Sequence, residues 1–235
     1  MYNDSQLIYR GGFVVEVTYP IPPGIVAGTF PARTADREME LKSLAEKLGF
    51  DHTFFANQIH SGIVLRCEDN RSGEDGDAAL CRTSGTLLGV FTADCVPILV
   101  YGDKITGFIH AGWRGFRENV IARFFSSILE APEDLNAIIG PAICGNCYEI
   151  GTETAAFFQP PELSRKPDGT FYLDLSALAY ATLVDIGILP ENIYRSTECT
   201  RCGHLKLHCH RRDNTPLRNI SFIGLRTAKT TGRYL

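Results

Sequence analysis

The strongest hydrophobic pattern in the chain is a pair of apolar runs, Val96–Val100 and Ile105–Ile109, separated by a short polar connection. Gly102 and Asp103 within that connection suit the two central positions of a tight hairpin turn. The pattern therefore predicts two antiparallel strands that pair directly with each other.

Cys95 and His110 lie at the open end of this predicted hairpin. With the turn at the glycine and aspartate, the thiol and the imidazole are directly opposite each other, with Cβ atoms about 4.5–5.5 Å apart. That separation allows both side chains to bind one metal ion or to share one proton. Two alternatives stay open: a purely structural pair, and a register shifted by one residue, since Pro97 cannot donate to a strand ladder.

The remaining periodicity predicts strands and helices that intermix without strict alternation or internal repeat, which favours a layered mixed fold over a doubly wound or barrel fold. Residues 67–79 are polar and acidic and predict a mobile loop that could lie over the site. The predicted strands are Phe13–Val17, Phe54–His60, Ala137–Gly140 and Ser221–Leu225, and the predicted helices are Asp36–Leu48 (ended by Gly49), Glu118–Glu130, Thr154–Phe158 and Leu175–Gly187.

Composition indicates a single domain over residues 1–235, with two closely packed halves as the alternative, because a chain of 235 residues with 44% hydrophobic content can bury a full core and no linker is visible. Met1–Ser5 does not open a signal peptide and no run of about 18 apolar residues occurs, so we expect a soluble, cytoplasmic protein without membrane contact. The net charge of −4 argues against general nucleic-acid binding. Residues 195–235 hold nine Lys or Arg and two acids, which leaves both a solvated basic face and an anion site open.

Eight cysteines are many for the chain, and without a secretion signal we expect reduced thiols. Two C-x-x-C pairs, Cys144 with Cys147 and Cys199 with Cys202, have the spacing of a second, closed zinc site. The alternative is that these cysteines are ordinary core positions.

Three short segments surround the predicted hairpin: Asn57–Gly62 (NQIHSG), Thr92–Pro97 (TADCVP) and His110–Gly115 (HAGWRG). In this order they resemble the YfiH-like family, also called the multicopper polyphenol oxidase or laccase-domain family. The resemblance runs from about residue 50 to the C-terminal region. Further matching segments are Ile139–Ile143, Cys147–Gly151, Asp174–Leu175, Cys199–Thr200 and Arg211–Asp213.

The resemblance implies an α+β fold, a mixed-sheet α-β-β-α layered sandwich of the YfiH-like type. It also implies that His60, Cys95 and His110 are the three protein ligands of one zinc ion. Three ligands leave a fourth coordination position open, as in catalytic rather than structural zinc sites. Two imidazoles and a thiolate could also hold one copper ion. A further three-copper cluster would need more imidazoles than the six histidines provide.

The implied activity is that of a zinc-dependent purine nucleoside phosphorylase, which converts adenosine, inosine, guanosine or methylthioadenosine and phosphate to the free base and ribose 1-phosphate. Adenosine deaminase activity is also implied by the family. Its partners are then a purine nucleoside and phosphate. Three alternatives stay open: a hydrolase or deamidase using Cys95 and His110, a copper-dependent polyphenol oxidase, and a noncatalytic nucleotide-binding module. The preferred nucleoside, the oligomeric state and the role of residues 1–35 also stay open.

Three residues of the matching segments are candidate catalytic residues. We expect Asp94 to orient a ligand or act as a general base, Arg114 to contact an anion or the transition state, and Gln58 to contact substrate. The turn at Gly112–Gly115 leads into a predicted helix, and with Arg114 and Arg117 it also suggests a phosphate cradle. Glycines that serve only the turn are an equal alternative.

Overall fold

The computed structural model describes residues 8–10, 13–15 and 17–227 of the chain. The strands are β1 (Ile8–Arg10), β2 (Phe13–Val15), β3 (Val17–Thr18), β4 (Ile25–Pro31), β5 (His52–Phe55), β6 (Val64–Arg66), β7 (Ala78–Cys81), β8 (Thr86–Thr92), β9 (Val96–Tyr101), β10 (Thr106–Ala111), β11 (Asn136–Ile139), β12 (Glu149–Ile150), β13 (Leu163–Arg165), β14 (Phe171–Leu173), β15 (Ile193–Arg195) and β16 (Asn219–Leu225). The α-helices are α1 (Arg37–Leu48), α2 (Trp113–Arg117), α3 (Val120–Ser126), α4 (Thr152–Ala155), α5 (Leu175–Ile186) and α6 (His210–Asp213), and short 3₁₀ turns occur at Pro132–Asp134 and Pro190–Asn192.

Two large sheets form the centre of the fold. The first, which we call the larger sheet, has the strand order β15-β11-β9-β10-β7-β6, and the second, the smaller sheet, has the order β3-β4-β16-β8-β5. One apolar cluster joins them: Phe54 and Leu88 of the smaller sheet pack with Leu99 and Phe108 of the larger sheet. The two sheets therefore pack face to face and share a buried core.

Helices cover the outer face of each sheet. Leu41 and Leu44 of α1 are buried with Leu87 of the smaller sheet, and Phe124 of α3 is buried with Ile109 on the far side of the larger sheet. This order of layers confirms the predicted α-β-β-α sandwich. Among the residues that the structure describes, no helix combines the length and apolar character needed to span a membrane.

The first predicted helix is confirmed almost to the residue, because its sequence contains both end signals. Asp36 precedes α1 and its carboxylate accepts a hydrogen bond from the Met39 amide at 3.0 Å. Gly49 ends the helix in the left-handed conformation, with φ 74°. The predicted helix over residues 175–187 is confirmed as well, because Gly187 ends α5 in the left-handed conformation, with φ 112°.

The predicted helix over Glu118–Glu130 is only partly correct. Helical structure begins earlier, in α2, and Asn119 then adopts a left-handed φ of 55° that breaks the helix before α3. α3 ends at Ser126. The apolar stripe was nevertheless identified correctly, because Val120 and Phe124 are fully buried.

The hairpin of β9 and β10 exists, but its predicted register is wrong. His110 pairs with Pro97, and Cys95 precedes the first residue of β9. The predicted direct pairing of Cys95 with His110 across the ladder therefore does not occur. Their side chains nevertheless lie close together, with the Cys95 sulfur within 4.8 Å of a ring nitrogen of His110.

The register differs because the turn lies one residue later than predicted. The Gly102 amide donates to the Ile105 carbonyl at 2.9 Å, so Asp103 and Lys104 are the central residues of the turn. Gly102 is required for packing instead: a Cβ there would lie 2.7 Å from Cδ2 of Leu135. The glycine that seemed to indicate a turn thus allows a close tertiary contact.

The predicted loop over 67–79 is present as far as Asp77, but Ala78 and Ala79 belong to β7. The Gly73 amide donates to the Phe55 carbonyl, and the Asn57 amide donates to the Glu74 carbonyl, both at 2.8 Å. Asp77 is completely buried, and β7 follows it immediately. Backbone hydrogen bonds to the end of β5 and to the segment after it therefore anchor this acidic stretch.

Cys67 and Cys81 form a disulfide, so the expected reduced state is wrong for this pair. β6 and β7 are parallel neighbours with Arg66 opposite Leu80, which places the next residue of each strand side by side. The two Cα atoms are 5.2 Å apart, as a disulfide requires. The other six cysteines are free.

Replacing Cys67 and Cys81 together by serine is expected to lower the free energy of unfolding by about 3 kcal/mol, because the disulfide closes a short loop and restricts the unfolded chain. The melting temperature should fall by about 6–12 °C. Thermal unfolding followed by circular dichroism without reductant measures this difference, and reductant should bring the wild type to the melting temperature of the variant. Equal melting temperatures without reductant would contradict the prediction.

Candidate active site

The candidate site lies at one end of the two large sheets, where the chain passes between them. β8 belongs to the smaller sheet and ends at Thr92, whereas β9 belongs to the larger sheet. Ala93, Asp94 and Cys95 make the connection, with Asp94 in a left-handed conformation of φ 96°. This crossover brings Cys95 beside His110, the penultimate residue of β10.

Cys95, His60 and His110 form a cluster that we call the His–Cys–His centre. Their ligand atoms all lie within 4.8 Å of one another, and the two imidazole rings meet edge to face with centroids 4.9 Å apart. His60 lies in the turn after β5, with φ 61°. His110 is buried, Cys95 is half-buried and His60 is exposed, so the centre opens to solvent on one side. The structure thus brings together the three residues that the resemblance implies as ligands.

Asp77 holds the centre in place, although its position in an acidic stretch gave no sign of this role. Its Oδ1 bonds Nδ1 of His110 at 2.8 Å and accepts a hydrogen bond from the His60 amide at 2.9 Å. Its Oδ2 accepts hydrogen bonds from the amide and the hydroxyl of Ser61. One carboxylate therefore sets the position of both histidines. Because Nδ1 of His110 is engaged with Asp77, Nε2 is the nitrogen that remains to bind a ligand.

The charges of the centre favour a thiolate at Cys95. Burial opposes ionisation, but His110 and His60 outweigh it and lower the pKa of the Cys95 thiol. For His110, burial opposes the positive charge, whereas Cys95 and Asp77 raise its pKa. Hydrogen bonds from His110 and Ser61 likewise overcome the effect of burial and lower the pKa of Asp77. A thiolate is both the metal-binding and the nucleophilic form of cysteine.

The donor set of the centre fits a zinc ion. Zn–S and Zn–N bonds of about 2.3 and 2.0–2.1 Å place the ligand atoms of a tetrahedral site about 3.3–3.6 Å apart. The observed spread, within 4.8 Å, closes to that range with small side-chain movements. The carboxylate of Asp77 on His110 is the outer hydrogen bond that metal-binding histidines usually have.

Gly112 leaves the space that the centre occupies, and replacing it by alanine should disturb the ligands without removing any. A Cβ at this position would lie 2.8 Å from Sγ of Cys95 and 3.3 Å from Cδ2 of His60. Displacement of these groups by a fraction of an ångström is expected to lower turnover by about 100-fold, in line with the effect of small misplacements in active sites.

Gly151 provides a matched control for this prediction, because it also precedes a short helix in an extended conformation. A Cβ at Gly151 meets nothing within 4 Å. Metal content and turnover of Gly112→Ala and Gly151→Ala should therefore differ strongly, with the control close to wild type. If both variants matched the wild type, Gly112 would not limit the geometry of the centre.

A cavity of about 440 Å³ opens over the His–Cys–His centre. Volumes of this size accommodate small organic ligands. Its wall combines the centre with guanidinium groups and aromatic rings. The lining residues besides the centre are Arg37, Gln58, Phe91, Thr92, Ala93, Asp94, Trp113, Arg114, Tyr148, His210, Arg211 and Arg218.

Asp94 is a buried cavity residue with both carboxylate oxygens engaged. Oδ1 accepts a hydrogen bond from the Thr200 hydroxyl and Oδ2 accepts one from the Arg211 amide, each at 2.8 Å. Asp94 therefore ties the crossover between the sheets to the chain segment that carries Arg211. The geometry suits an orienting residue, and its part in catalysis stays a prediction.

Gln58 and Arg114 occupy different parts of the cavity. The Gln58 amide donates to the Phe91 carbonyl at 2.8 Å and accepts from the Phe91 amide at 2.9 Å, so it fixes this part of the wall. Arg114 is exposed at the rim, with its guanidinium 4.4 Å from the centroid of the Trp113 ring. Direct contact of either residue with substrate stays a prediction. The phosphate cradle suggested at Gly112 would use the N-terminus of α2, but this helix has only five residues. An anion site in the cavity therefore depends on the arginine side chains.

Several cavity residues were not identified from the sequence. Arg37 had no signal beyond its place in α1, whereas Arg211 and Arg218 belong to the basic C-terminal region that suggested an anion site. Burial and the nearby charge of Arg218 lower the pKa of Arg37. Such like-charged groups are stabilised when an anion lies between them.

Thr92 is a further cavity residue that was not identified from the sequence. Its buried hydroxyl has no hydrogen-bond partner among the described residues, so it is available to a ligand.

The chain is similar to several known proteins. The family model of the multi-copper polyphenol oxidoreductase laccase matches residues 33–226. The purine nucleoside phosphorylase of Aquifex aeolicus is 33% identical over 177 residues, which cover 74% of this chain and 84% of that protein. Adenosine deaminase RL5, from an unknown prokaryotic organism, is 33% identical over 198 residues, with 72% and 74% covered. Among solved structures, the hypothetical protein YfiH of Bacillus licheniformis has a TM-score of 0.76 at 24% sequence identity, and the match covers 86% of this chain and 93% of that one. YlmD of Geobacillus stearothermophilus has a TM-score of 0.73 at 25% sequence identity, and the match covers 87% of this chain and 93% of that one.

Proposed function

The chain belongs to the multi-copper polyphenol oxidoreductase laccase family, and from that premise we propose that it is a zinc-dependent purine nucleoside phosphorylase with adenosine deaminase as a further activity. One observation carries the proposal: the open His–Cys–His centre and four arginines line the same cavity. A metal centre beside an anion-binding wall suits a reaction between phosphate and a neutral nucleoside. Relatives named purine nucleoside phosphorylase and adenosine deaminase support the same substrate class.

His60, Cys95 and His110 would hold the zinc ion. Bound there, zinc supplies Lewis acidity toward a substrate atom or lowers the pKa of a bound water. Asp77 keeps both imidazoles in place, and the exposed side of His60 leaves the centre open to the cavity.

Arg37, Arg211 and Arg218 are the groups that we assign to phosphate. In phosphorolysis a phosphate oxygen bonds to C1′ of the ribose while the bond from C1′ to the purine nitrogen breaks. The base leaves with the bonding electron pair and takes up a proton. Guanidinium groups bind phosphate through paired, charge-assisted hydrogen bonds, so they hold the nucleophile and screen its charge as it approaches the sugar.

Aromatic side chains provide the surface for the purine. Phe91, Trp113 and Tyr148 all line the cavity, and flat rings stack favourably on a base. Burial, helped by the charge of Cys95, raises the pKa of Tyr148 to about 12. The phenol is therefore neutral near pH 7 and can donate a hydrogen bond to the departing base. The unpartnered hydroxyl of Thr92 offers a second polar contact.

Product analysis tests the proposal. The purified protein is incubated with adenosine or inosine, with and without inorganic phosphate, and the products are separated by chromatography. We expect free adenine and hypoxanthine together with ribose 1-phosphate, formed only when phosphate is present. Conversion of adenosine to inosine alone would assign deamination as the main reaction, and no change in either nucleoside would reject the proposal.

Arg37→Ala is expected to raise the KM for phosphate by about 10- to 100-fold, because a charge-assisted hydrogen bond contributes about 1.5–3 kcal/mol. The KM for inosine should change much less. Lys42→Ala is a matched control, since Lys42 is a cation of the same helix whose ammonium pairs with Glu38 at 2.6 Å on the exposed surface. Initial rates at varied phosphate measure the effect. An unchanged phosphate KM in Arg37→Ala would remove this residue from the phosphate site.

A second candidate function is a Cys–His hydrolase or deamidase. It is favoured by the lowered pKa of Cys95 beside a buried, charged imidazole, the arrangement of a nucleophilic cysteine. The two functions differ in the state of the thiol. Rapid alkylation of Cys95 by iodoacetamide in the metal-loaded protein would favour the hydrolase, whereas protection that is lost on metal removal would favour the zinc enzyme.

A further inference from the structure

A second cluster of metal-binding side chains lies outside the His–Cys–His centre. Cys144 and Cys147 belong to the loop between β11 and β12, and Cys199 and Cys202 follow β15. β11 and β15 are parallel neighbours in the larger sheet, so the loops that follow them leave the sheet at the same end. An isolated parallel bridge between Ala142 and Cys199 extends this pairing beyond the strands. The topology therefore places the two C-x-x-C pairs side by side.

The four sulfur atoms have the spacing of one tetrahedral site. All lie within 4.8 Å of one another, and Sγ of Cys144 is 3.9 Å from Sγ of Cys202. A zinc ion with four Zn–S bonds of about 2.3 Å requires sulfur atoms about 3.8 Å apart. None of the four cysteines forms a disulfide. The cluster thus needs only small side-chain adjustments to bind an ion.

The backbone around Cys199 is arranged to support a thiolate ligand. Sγ of Cys199 accepts hydrogen bonds from the amides of Cys144, Arg201 and Cys202, at 3.3, 3.4 and 3.5 Å. In the other loop, the Cys144 carbonyl accepts from the amides of Cys147 and Tyr148 at 2.9 and 3.0 Å. Amide donors aimed at a sulfur stabilise its negative charge, and tight C-x-x-C turns direct both thiols to one side.

Core packing does not explain this cluster. Cys199 is buried, but Cys144 and Cys147 are half-buried and Cys202 is exposed. Cysteines kept only for packing are among the most buried residues of a protein. Four thiols that converge at a partly exposed point are better explained by a shared ligand.

We propose that Cys144, Cys147, Cys199 and Cys202 bind a structural Zn²⁺ ion in a closed, four-sulfur site separate from the His–Cys–His centre. This site clamps the loop after β11 to the loop after β15. With all coordination positions filled by protein, it has no place for substrate. Its role does not depend on the reaction proposed above.

The clamp lies next to the cavity wall. Tyr148, which lines the cavity, directly follows Cys147, and Thr200, which directly follows Cys199, donates its hydroxyl to Asp94 at 2.8 Å. The bound ion therefore positions Tyr148 directly and positions Asp94, which lies in the crossover between the sheets, through Thr200. Loss of this ion is expected to loosen one wall of the cavity while leaving the ligands of the His–Cys–His centre in place.

The test uses a parent protein in which the other centre is removed by His60→Ala and His110→Ala. After loading with Zn²⁺ and gel filtration, it should retain about one zinc ion per chain, and X-ray absorption should show four sulfur ligands at about 2.3 Å. Adding Cys144→Ser and Cys202→Ser should abolish retention. Adding Cys209→Ala instead, a buried free cysteine outside both clusters, should leave the zinc content unchanged.

Several results would overturn the proposal. They are a folded parent without zinc, a set of metal ligands that includes nitrogen or oxygen, and a disulfide between Cys144 and Cys202 located by peptide mapping without reductant. If the serine variant does not fold, Co²⁺ loading of the parent still decides the matter. Intense thiolate-to-cobalt charge-transfer absorption with tetrahedral bands supports the site, and its absence rejects it.

Discussion

Replacing Cys95 by alanine is expected to remove the metal ion of the His–Cys–His centre and to lower phosphorolysis turnover by at least about 1,000-fold. Cys95 contributes the sulfur of the centre and lies against both imidazoles. Without it, two histidines remain, too few to hold zinc tightly. A catalytic metal supplies several kcal/mol of transition-state stabilisation, and each 1.36 kcal/mol corresponds to a factor of ten in rate.

The measurement combines metal analysis with a chromatographic assay of base release in the presence of phosphate. Cys95→Ala should contain about one zinc ion per chain fewer than the wild type. Cys209→Ala, which removes a buried thiol from outside the centre, should keep the full metal content. A Cys95→Ala protein that keeps both its zinc and its turnover would show that the thiol is not a ligand.

Asp77→Asn is expected to lower the zinc affinity of the centre by about 10- to 100-fold, the usual effect of removing the outer hydrogen bond of a metal-binding histidine. The same change should destabilise the fold by about 3 kcal/mol, because an amide nitrogen cannot accept the hydrogen bonds that the carboxylate accepts from His60 and Ser61. For a domain of this size the melting temperature then falls by about 6–12 °C.

Asp75→Asn is the matched control, because Asp75 is an exposed acid of the same segment that bonds only to the Asn57 side chain at 2.7 Å among the contacts described. It should leave zinc affinity and stability close to wild type.

The pKa of Asp77 is lowered in the folded protein, so the stabilisation that its carboxylate provides is present above the unfolded pKa of about 4. This stabilisation is lost as the pH falls through the folded pKa. The stability difference between wild type and Asp77→Asn should therefore shrink in acid. A constant difference would mean that the carboxylate charge is not responsible.

Local signals in the sequence were sufficient for the elements that carry them. Asp36 and Gly49 mark both ends of α1, and the apolar stripe around Phe124 marks the buried face of α3. The layered α-β-β-α fold follows from the resemblance and agrees with the structural neighbours. In each case the information is contained within a few consecutive residues or within a recognised motif.

Contacts between distant residues could not be predicted in the same way. The hairpin turn was misplaced because Gly102 packs against Leu135, a contact that no local pattern reveals. Asp77 follows an acidic run that predicts a mobile loop, and its burial is explained by its bonds to Ser61, 16 residues away, and to His110, 33 residues away. Arg37 reaches the cavity from a helix that was predicted correctly but had no functional signal.

The most direct test of the account is base release by metal-depleted and metal-restored protein. The protein is stripped with a chelator, and hypoxanthine formation from inosine is followed before and after Zn²⁺ is returned, with and without phosphate. In the presence of phosphate, we expect the stripped protein to release no hypoxanthine and the zinc-restored protein to recover full activity. In the absence of phosphate, we expect neither protein to release hypoxanthine. A stripped protein that cleaves inosine as fast as the restored one, or a restored one that does not cleave it, would contradict a zinc-dependent phosphorylase at the His–Cys–His centre.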